Sequence, residues 1–434
     1  MAAPASPAPP ASLVIPISAS QSGVAGNGYS TMPSVSADGR LVVFQSSSTD
    51  LVAGIPTPPP GDEDAPPPPA QIYIRDVVAG TTKLVSASAS GTPGDFSSDT
   101  PVITPNGRTI VFYSYATNLV PGDTNGSSDV FEYDVATGVT TRVSLAADGS
   151  QANNGVLPGY HSPAAVSDDG KTVVFTSSST NLVPGVGSAS SALVYARDLR
   201  RGTTVLVSAN QAGQPAQDFS QGQAISGDGR VVAFSSLASN LVPGDTNNNY
   251  DVFVRDLRTG TVTRVSVSST GAQGTGSSST DPVISRDGST VAFMSGANGL
   301  TSDGPANPTG DIFVRNLRTG TTVKASIGLD GQSGNGWSGS RAASLSADGR
   351  YVSFQSLSTN LVSQPLASGY HVFVRDLLCK NTRVVTTAPN ESGGGGYAGG
   401  LTASGKYVVF YSWASDLVPG WTNSSNPQIY LRRI

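Results

Sequence analysis

The chain has 434 residues and a net charge of −5, and only 13% of its side chains are charged. Its hydrophobic fraction of 37% is too low for one large helical or α/β core, so the apolar residues must be spread over many small layers. The acidic balance argues against a nucleic-acid partner, and no apolar stretch approaches the roughly 20 residues that span a bilayer.

The first eleven residues are rich in Ala and Pro and lack the basic start and apolar centre of a signal peptide. We interpret residues 1–11 as a disordered leader. The single cysteine, Cys379, excludes a disulfide within the chain. Low charge combined with abundant Ser, Thr, Asn and Gly favours an exported protein. We therefore expect an extracellular or periplasmic location, with no signal peptide in this sequence.

A seven-fold repeat follows the leader, and in each unit a Gly lies five residues before a Phe. The pairs are Gly39/Phe44, Gly107/Phe112, Gly170/Phe175, Gly229/Phe234, Gly288/Phe293, Gly349/Phe354 and Gly405/Phe410. Most of these Gly follow Asp, which predicts a tight hairpin turn between a brief first strand and an apolar second strand. The second strand is apolar at consecutive positions, which indicates burial on both of its faces.

A third strand carries an aromatic residue in every unit, namely Tyr73, Phe131, Tyr195, Phe253, Phe313, Phe373 and Tyr430. Arg follows two residues later in six units, as Arg75, Arg197, Arg255, Arg315, Arg375 and Arg432. We expect these arginines to form a repeated structural ion pair or backbone hydrogen bond. A turn of the Thr-Gly type then leads into a β-branched fourth strand. Four strands covered on both faces by neighbouring units predict an all-β fold, a seven-bladed β-propeller with four antiparallel strands per blade.

The last repeat ends after its third strand. The segment 12–20 resembles a fourth strand, so we expect it to complete the last blade and remove an exposed sheet edge. Residues 12–434 are then one domain, with blades at about 31–88, 99–147, 161–209, 221–269, 280–328, 340–388 and 397–434.

The repeat Ser36-Ala-Asp-Gly-Arg-Leu-Val-Val-Phe-Gln-Ser, followed by Gln71-Ile-Tyr-Ile-Arg-Asp, resembles the TolB-type, WD-like propeller repeat of bacterial exported proteins. The resemblance covers the chain from residue 12 onward and implies the propeller fold. Proteins with such repeats are mostly binding or assembly platforms; some are carbohydrate-active, and some gate a peptidase. Since no hydrolase domain accompanies the repeats, we do not expect the peptidase role.

The first–second and third–fourth turns are short and lie at one end of each blade, while the other connections are long and lie at the opposite end. We call these ends the short-turn face and the long-loop face, and we expect binding on the long-loop face. Its longest loop, 55–70, is rich in Pro and predicts a solvated spur. The candidate partner-binding residues on this face are Tyr29, Phe96, Tyr160, His161, Phe219, Trp337, Tyr397, Trp413 and Trp421. The aromatic residues either seal neighbouring blades or form a binding ring round the channel mouth.

Two loops place oxygen-bearing side chains at their first, third and seventh positions: Asp123, Asn125 and Asp129, and Asp245, Asn247 and Asp251. Ca²⁺ takes six to eight oxygen ligands, so carbonyls or water would have to complete each site. Calcium is thus a possible cofactor, and good turn-forming residues are the alternative explanation.

The sequence holds few groups for catalysis. His161 and His371 are the two histidines and lie in different units, which does not favour a metal-dependent lyase. Cys379 has no evident partners for a thiol nucleophile. Asp99 and Asp281 could face each other across the channel mouth, as a glycosidase would require.

We therefore predict an exported, non-catalytic binding or scaffold propeller that mediates protein–protein interaction or extracellular assembly through its long-loop face. A glycan-binding, lectin-like propeller is the first alternative, and a carbohydrate-active lyase or glycosidase is the second. Neither nucleic acid nor a membrane span is expected.

Overall fold

The computed structural model describes residues 14–57, 67–156, 163–186, 191–386, 395–415, 417–418, 420–421 and 426–434, with the backbone only at 340–343 and 398. Within these residues, 28 strands form seven four-stranded antiparallel sheets, each of which is one blade. None of the described elements is a helix long and apolar enough to cross a membrane. The predicted seven-bladed propeller is confirmed.

Each of the first six blades uses four consecutive strands. Blades 1 to 3 contain β2 (Ser30–Val35), β3 (Leu41–Ser46), β4 (Gln71–Asp76), β5 (Thr81–Leu84), β6 (Ser98–Ile103), β7 (Thr109–Ser114), β8 (Asp129–Asp134), β9 (Thr140–Arg142), β10 (Ala165–Val166), β11 (Thr172–Ser177), β12 (Leu193–Asp198) and β13 (Thr203–Leu206). Blades 4 to 6 contain β14 (Ser220–Ile225), β15 (Val231–Ser236), β16 (Asp251–Asp256), β17 (Val262–Arg264), β18 (Ser279–Ile284), β19 (Thr290–Ser295), β20 (Asp311–Asn316), β21 (Thr321–Lys324), β22 (Ser338–Leu345), β23 (Tyr351–Ser356), β24 (His371–Asp376) and β25 (Asn381–Val384). Blade 7 combines β26 (Gly396–Leu401), β27 (Tyr407–Ser412) and β28 (Gln428–Arg433) with β1 (Val14–Pro16).

The core of every blade is an aromatic pair across its two central strands. Phe44 lies directly opposite Tyr73, and the equivalent pair recurs in all seven blades. The ring centroids are 5.7 to 6.1 Å apart in these stacked pairs. Such pairs add stability beyond the area that they bury. The Phe of the second strand and the aromatic residue of the third strand therefore recur in sequence because they are direct neighbours.

The N-terminal strand closes the ring, as the sequence predicts. Strand β1 pairs antiparallel with β28, with Pro16 opposite Tyr430, and Ile17 N donates to Ile429 O at 2.8 Å. In every blade, a hydroxyl that follows the fourth strand accepts a hydrogen bond from a third-strand amide. In blade 7 this hydroxyl belongs to Ser18. The seven residues are Ser86, Ser144, Ser208, Ser266, Ser326, Thr386 and Ser18. Blade 7 is thus completed like the others, which removes an open sheet edge.

Neighbouring blades are also joined through their backbones. The first amide of an inner strand donates to the carbonyl just before the third strand of the preceding blade, as Ser98 N does to Ala70 O at 2.8 Å. Ser30 N makes the same bond to Pro427 O at 2.9 Å, which joins blade 1 to blade 7.

The third-strand arginines bind the preceding blade. Arg197 Nη1 donates to the Leu145 and Ala146 carbonyls at 3.2 and 3.0 Å. Arg255, Arg315 and Arg432 reach equivalent carbonyls. The predicted backbone hydrogen bond is therefore present in these four blades. The acid that follows the arginine pairs elsewhere, as Asp76 does with Arg40.

Candidate functional site

The long-loop face is held in place by side-chain bonds between its two kinds of loop. Asn118 Nδ2 donates to Pro93 O at 2.9 Å, and Asn118 Oδ1 accepts from Asp95 N at 3.2 Å. Asp95 in return accepts from Thr117 N at 2.8 Å. Equivalent bonds involve Asn181, Asn240 and Asn360. Because these described loops are bonded to one another, they offer a surface on which a partner could dock without first having to order them.

The predicted aromatic residues of this face do not occupy one common position. Tyr29, Phe219 and Trp337 directly precede inner strands, Phe96 lies two residues before β6, and Tyr397 lies inside β26. Tyr29 is 38% exposed and Phe96 is 57% exposed. Tyr160 and His161 lie outside the described residues. The structure therefore brings some of these rings together and leaves others apart.

Five rings from blades 6 and 7 form a continuous group, which we call the aromatic cluster: Trp337, Tyr370, Tyr397, Tyr411 and Trp413. Tyr370 contacts Trp337 edge-on at a centroid distance of 5.6 Å and Tyr397 at 5.0 Å. Tyr397 stacks on Tyr411 at 5.1 Å, with 7° between the ring planes. Trp413 meets Tyr397 and Tyr411 edge-on at 5.6 and 5.7 Å and is 50% exposed.

A glycine makes room for one end of the cluster. A Cβ on Gly339 would lie 2.0 Å from Trp337 Cη2, so the indole lies directly against this part of β22. The backbone of Tyr370 also joins the two blades, because Gly396 N donates to Tyr370 O at 2.7 Å. The cluster is consequently built across a blade boundary.

The sequence analysis named Trp337, Tyr397 and Trp413 but missed Tyr370 and Tyr411. Tyr411 follows Phe410, at a position where only blade 2 has another aromatic residue, Tyr113. This departure from the repeat could have identified Tyr411 as a candidate site residue. Trp421 lies elsewhere, packed partly buried against the core of blade 7.

The inner strands of all seven blades line a central channel of about 260 Å³. In three blades a residue with left-handed φ precedes a proline of the channel wall, at a bulge where the strand register shifts. These residues are Met32, Thr100 and Asp281, with φ of 50°, 47° and 51°. Such φ values are unfavourable for residues with a Cβ, and above all for a β-branched one. Asp281 of blade 5 is thus one of the residues that line the channel. Asp99 lies just before the bulge of blade 2.

A buried polar network joins blades 2, 3 and 4 beside the channel. Gln223 Nε2 donates to Pro163 O at 3.0 Å and to Tyr113 Oη at 3.4 Å, and Thr176 Oγ1 donates to Gln223 Oε1 at 2.7 Å. Burial raises the pKa of Tyr113, and the nearby Asp99 raises it further. Burial also raises the pKa of Asp99 itself. The bonds of Gln223 hold three blades together at this end of the channel.

The two predicted cation loops each contain a guanidinium. Arg142 lies 3.3 Å from Asp123 and 3.7 Å from Asp129, and Asn125 Nδ2 donates to Asp129 Oδ2 at 3.0 Å. Burial raises the pKa of Asp129. Asp123 Oδ1 is buried without a hydrogen-bond partner among the described residues.

The second loop repeats this arrangement. Arg264 lies 3.7 Å from Asp245 and 3.5 Å from Asp251, while Asn247 donates to Asp251 at 3.2 Å. Among the described residues, no three His, Cys, Asp or Glu side chains gather in a group that could hold a metal ion. Calcium binding stays a prediction, and it would require the ion to compete with an arginine in each loop.

The remaining histidine and the cysteine have ordinary surroundings. His371 is 1% exposed and bonds to Thr386 Oγ1 at 3.2 Å and to Ala367 O at 3.0 Å. His371 is the first residue of the third strand in blade 6, as Gln71 is in blade 1. Ser86 Oγ donates to Gln71 Oε1, which is the equivalent of the His371–Thr386 contact, so His371 has the same structural role. Cys379 is exposed in the third–fourth turn of blade 6.

No family model and no curated protein matches this chain. Among solved structures, the oligogalacturonate lyase of Vibrio parahaemolyticus is similar over 97% of this chain and 98% of its own, with 11% identity and a TM-score of 0.53. The β-propeller domain of the Trilobed protease of Pyrococcus furiosus, which has an open velcro topology, is similar over 94% of both chains, with 10% identity and a TM-score of 0.55. TolB of Acinetobacter baumannii covers 84% of this chain and 76% of its own, with 16% identity and a TM-score of 0.39. At these identities the likeness shows the propeller fold alone, and the TolB-type resemblance stays a prediction.

Proposed function

We propose that this protein is an exported, non-catalytic binding propeller that captures a protein partner through the long-loop face. The observation that carries the proposal is the aromatic cluster, five rings in continuous contact that end in the half-exposed Trp413. Tyr and Trp dominate the energetic centres of protein interfaces because they bury a large area with few rotatable bonds. Beside Trp337, Asn335 bonds to Asn360 and Thr359, and this ordered loop pair supports the same role because it lowers the entropy lost on docking.

Glycan binding is a second candidate, and the exposure of Trp413 favours it. A half-exposed indole offers a flat apolar face on which a sugar ring can stack, and its nitrogen can still donate a hydrogen bond. Both candidates use the same residues, so one set of variants tests them together.

The experiment immobilises the full chain and measures retention of proteins from an extracellular extract of the producing cells, in parallel with a glycan array. Trp413→Ala and Trp337→Ala are expected to lower retention by at least about tenfold, as loss of an interface hot spot does. Leu378→Ala is the matched control, because Leu378 is 73% exposed in a turn of the short-turn face. Retention that is equal for wild type and both Trp variants, on extract and on glycans, would rule the proposal out.

A further inference from the structure

A groove on the outer side of the propeller separates blade 5 from blade 6. It has a volume of about 620 Å³. Residues 327–329 and 331 of blade 5 line it, together with residues 361–364, 375 and 380–384 of blade 6, among them Arg375, Lys380 and Arg383. Its size falls within the range of small-molecule sites. Three basic residues in one groove are notable in a chain whose net charge is −5.

Lys380 departs from the repeat. The other third–fourth turns place a glycine at this position, with φ between 66° and 73°, whereas Lys380 has a φ of 54°. The five glycines are Gly80, Gly138, Gly202, Gly260 and Gly320. A side chain is unfavourable in this left-handed conformation, so local folding does not account for lysine here.

The substitution adds a second cation to the lining of the groove. A Cβ built on Gly320 would lie 3.8 Å from Arg315 Nη2, and the corresponding distances at Gly80, Gly202 and Gly260 are 3.6 to 3.9 Å. The Lys380 side chain therefore begins next to the equivalent arginine, Arg375. Arg375 and Lys380 both line the groove, so an anion bound there would lie near two positive charges.

Nearby carboxylates are engaged elsewhere. Asp376 pairs with Arg350 at 2.7 Å, and Asp330 Oδ1 accepts from Gln332 N at 3.0 Å. Within the described part of the chain, no ion pair joins a carboxylate to Lys380 or Arg375. Arg375 and Lys380 thus have no directly paired carboxylate among these residues, and Asp376 acts on Arg375 only through its nearby charge.

Arg375 also keeps hydrogen-bond donors for a ligand. Arg315 donates to the Val267 and Ser268 carbonyls of the preceding blade at 3.3 and 3.0 Å. Among the described residues, Arg375 donates only to Thr382, at 3.0 Å. Ile327 and Gly328, the blade 5 residues at the positions of Val267 and Ser268, line the groove instead of accepting from Arg375. Burial lowers the pKa of Arg375, so its charged form would gain from an anionic neighbour. Arg75 is similarly placed in blade 1, but Gly80 supplies no second cation there.

We propose that this groove is a binding site for a small oxyanion ligand, a carboxylate or a phosphate, held by the Arg375 guanidinium and the Lys380 ammonium. A guanidinium can bind two oxygens of such a group at once, and a lysine adds a point charge with three donors. The site is separate from the aromatic cluster, so it does not depend on the proposed function.

Isothermal titration of the full chain with citrate, with inorganic phosphate and with chloride, at constant ionic strength, tests the proposal. Saturable binding of citrate or phosphate but not of chloride is expected, and comparison of the two identifies the preferred oxyanion. The decisive variant is Lys380→Gly, which restores the glycine of the other turns and suits the backbone there. It should weaken binding by at least about tenfold, the loss expected for a charged contact worth 1.4 kcal/mol or more.

Lys83→Ala is the control, because it removes one exposed positive charge from the fourth strand of blade 1 and should leave binding unchanged. A melting curve of Lys380→Gly that matches wild type would show that its loss of binding is not loss of fold. The proposal is overturned if neither citrate nor phosphate binds saturably, or if Lys380→Gly binds them as wild type does.

Discussion

The short-turn face and the long-loop face use the same repeat differently. On the short-turn face, the Arg after the Asp-Gly turn pairs with the Asp that ends the third strand in three blades. The pairs are Arg40–Asp76 at 2.7 Å, Arg230–Asp256 at 2.5 Å and Arg350–Asp376 at 2.7 Å. On the described part of the long-loop face, the aromatic cluster occurs once, across blades 6 and 7. Interactions that serve the fold recur from blade to blade, so a side chain without a counterpart in other blades is a better candidate for function.

Ring closure supports both faces, so its removal is expected to have the largest effect. Deleting residues 1–20 removes β1, the buried Ile17 and the Ser18 hydroxyl from blade 7. The burial of one such side chain, together with several hydrogen bonds, contributes about 5 kcal/mol to the free energy of unfolding. Denaturant unfolding should show a loss of stability of that order or a failure to fold. Deletion of residues 1–10 is the control and should leave the midpoint unchanged; a similar midpoint for both deletions would contradict the role of β1.

The contact between blades 7 and 1 gives a smaller effect. A Cβ on Gly399 would lie 2.2 Å from Pro33 Cγ and 2.7 Å from Pro33 O, so Gly399→Ala forces the two inner strands apart. We expect a loss of about 2 kcal/mol in the free energy of unfolding, as overpacking usually causes. Gly400→Ala is the matched control, since its nearest neighbour would be Val409 Cγ1 at 3.7 Å. Equal stability of the two variants in urea would show that the ring tolerates a wider channel at this boundary.

An ion pair of the short-turn face should affect stability but not binding. The Arg230 side chain, by hydrogen bonding, lowers the pKa of Asp256 to about 2. Because the folded pKa lies below the unfolded value of about 3.9, the stabilisation is present above pH 4 and is lost as the pH falls from about 4 to 2. Asp256→Asn should cost about 1 kcal/mol at pH 7, since solvent screens a partly exposed pair.

Urea unfolding at several pH values tests this. The difference between wild type and Asp256→Asn should shrink as the pH falls from about 4 to 2 and disappear below about 2, and partner retention at pH 7 should not change. A difference that stays undiminished at and below pH 2 would show that the Arg230–Asp256 pair is not its source.

The regular parts of the molecule could be predicted from the sequence, because each depends on contacts within one unit. The Gly39/Phe44 spacing predicts a hairpin, and the aromatic residue at 73 predicts the strand that packs beside it. The aromatic cluster depends instead on packing between units: Tyr370 and Tyr397 belong to different blades, and Gly339 must make room for Trp337. The arginine in each cation loop was missed for a similar reason. Arg142, which lies 3.3 Å from Asp123, comes from the end of β9, a separate strand of the same blade.

The smallest effect on stability is expected on the long-loop face. Trp413 is half exposed, so Trp413→Ala should change the free energy of unfolding by no more than about 0.5 kcal/mol. The same variant should lose partner or glycan retention, whereas Asp256→Asn should lose stability and keep retention. If Trp413→Ala instead cost about 2 kcal/mol or more, the five rings would be serving the fold as the central aromatic pairs do. The opposite behaviour of the two variants would assign stability to the short-turn face and binding to the long-loop face, since each variant would then change only one of the two measured quantities.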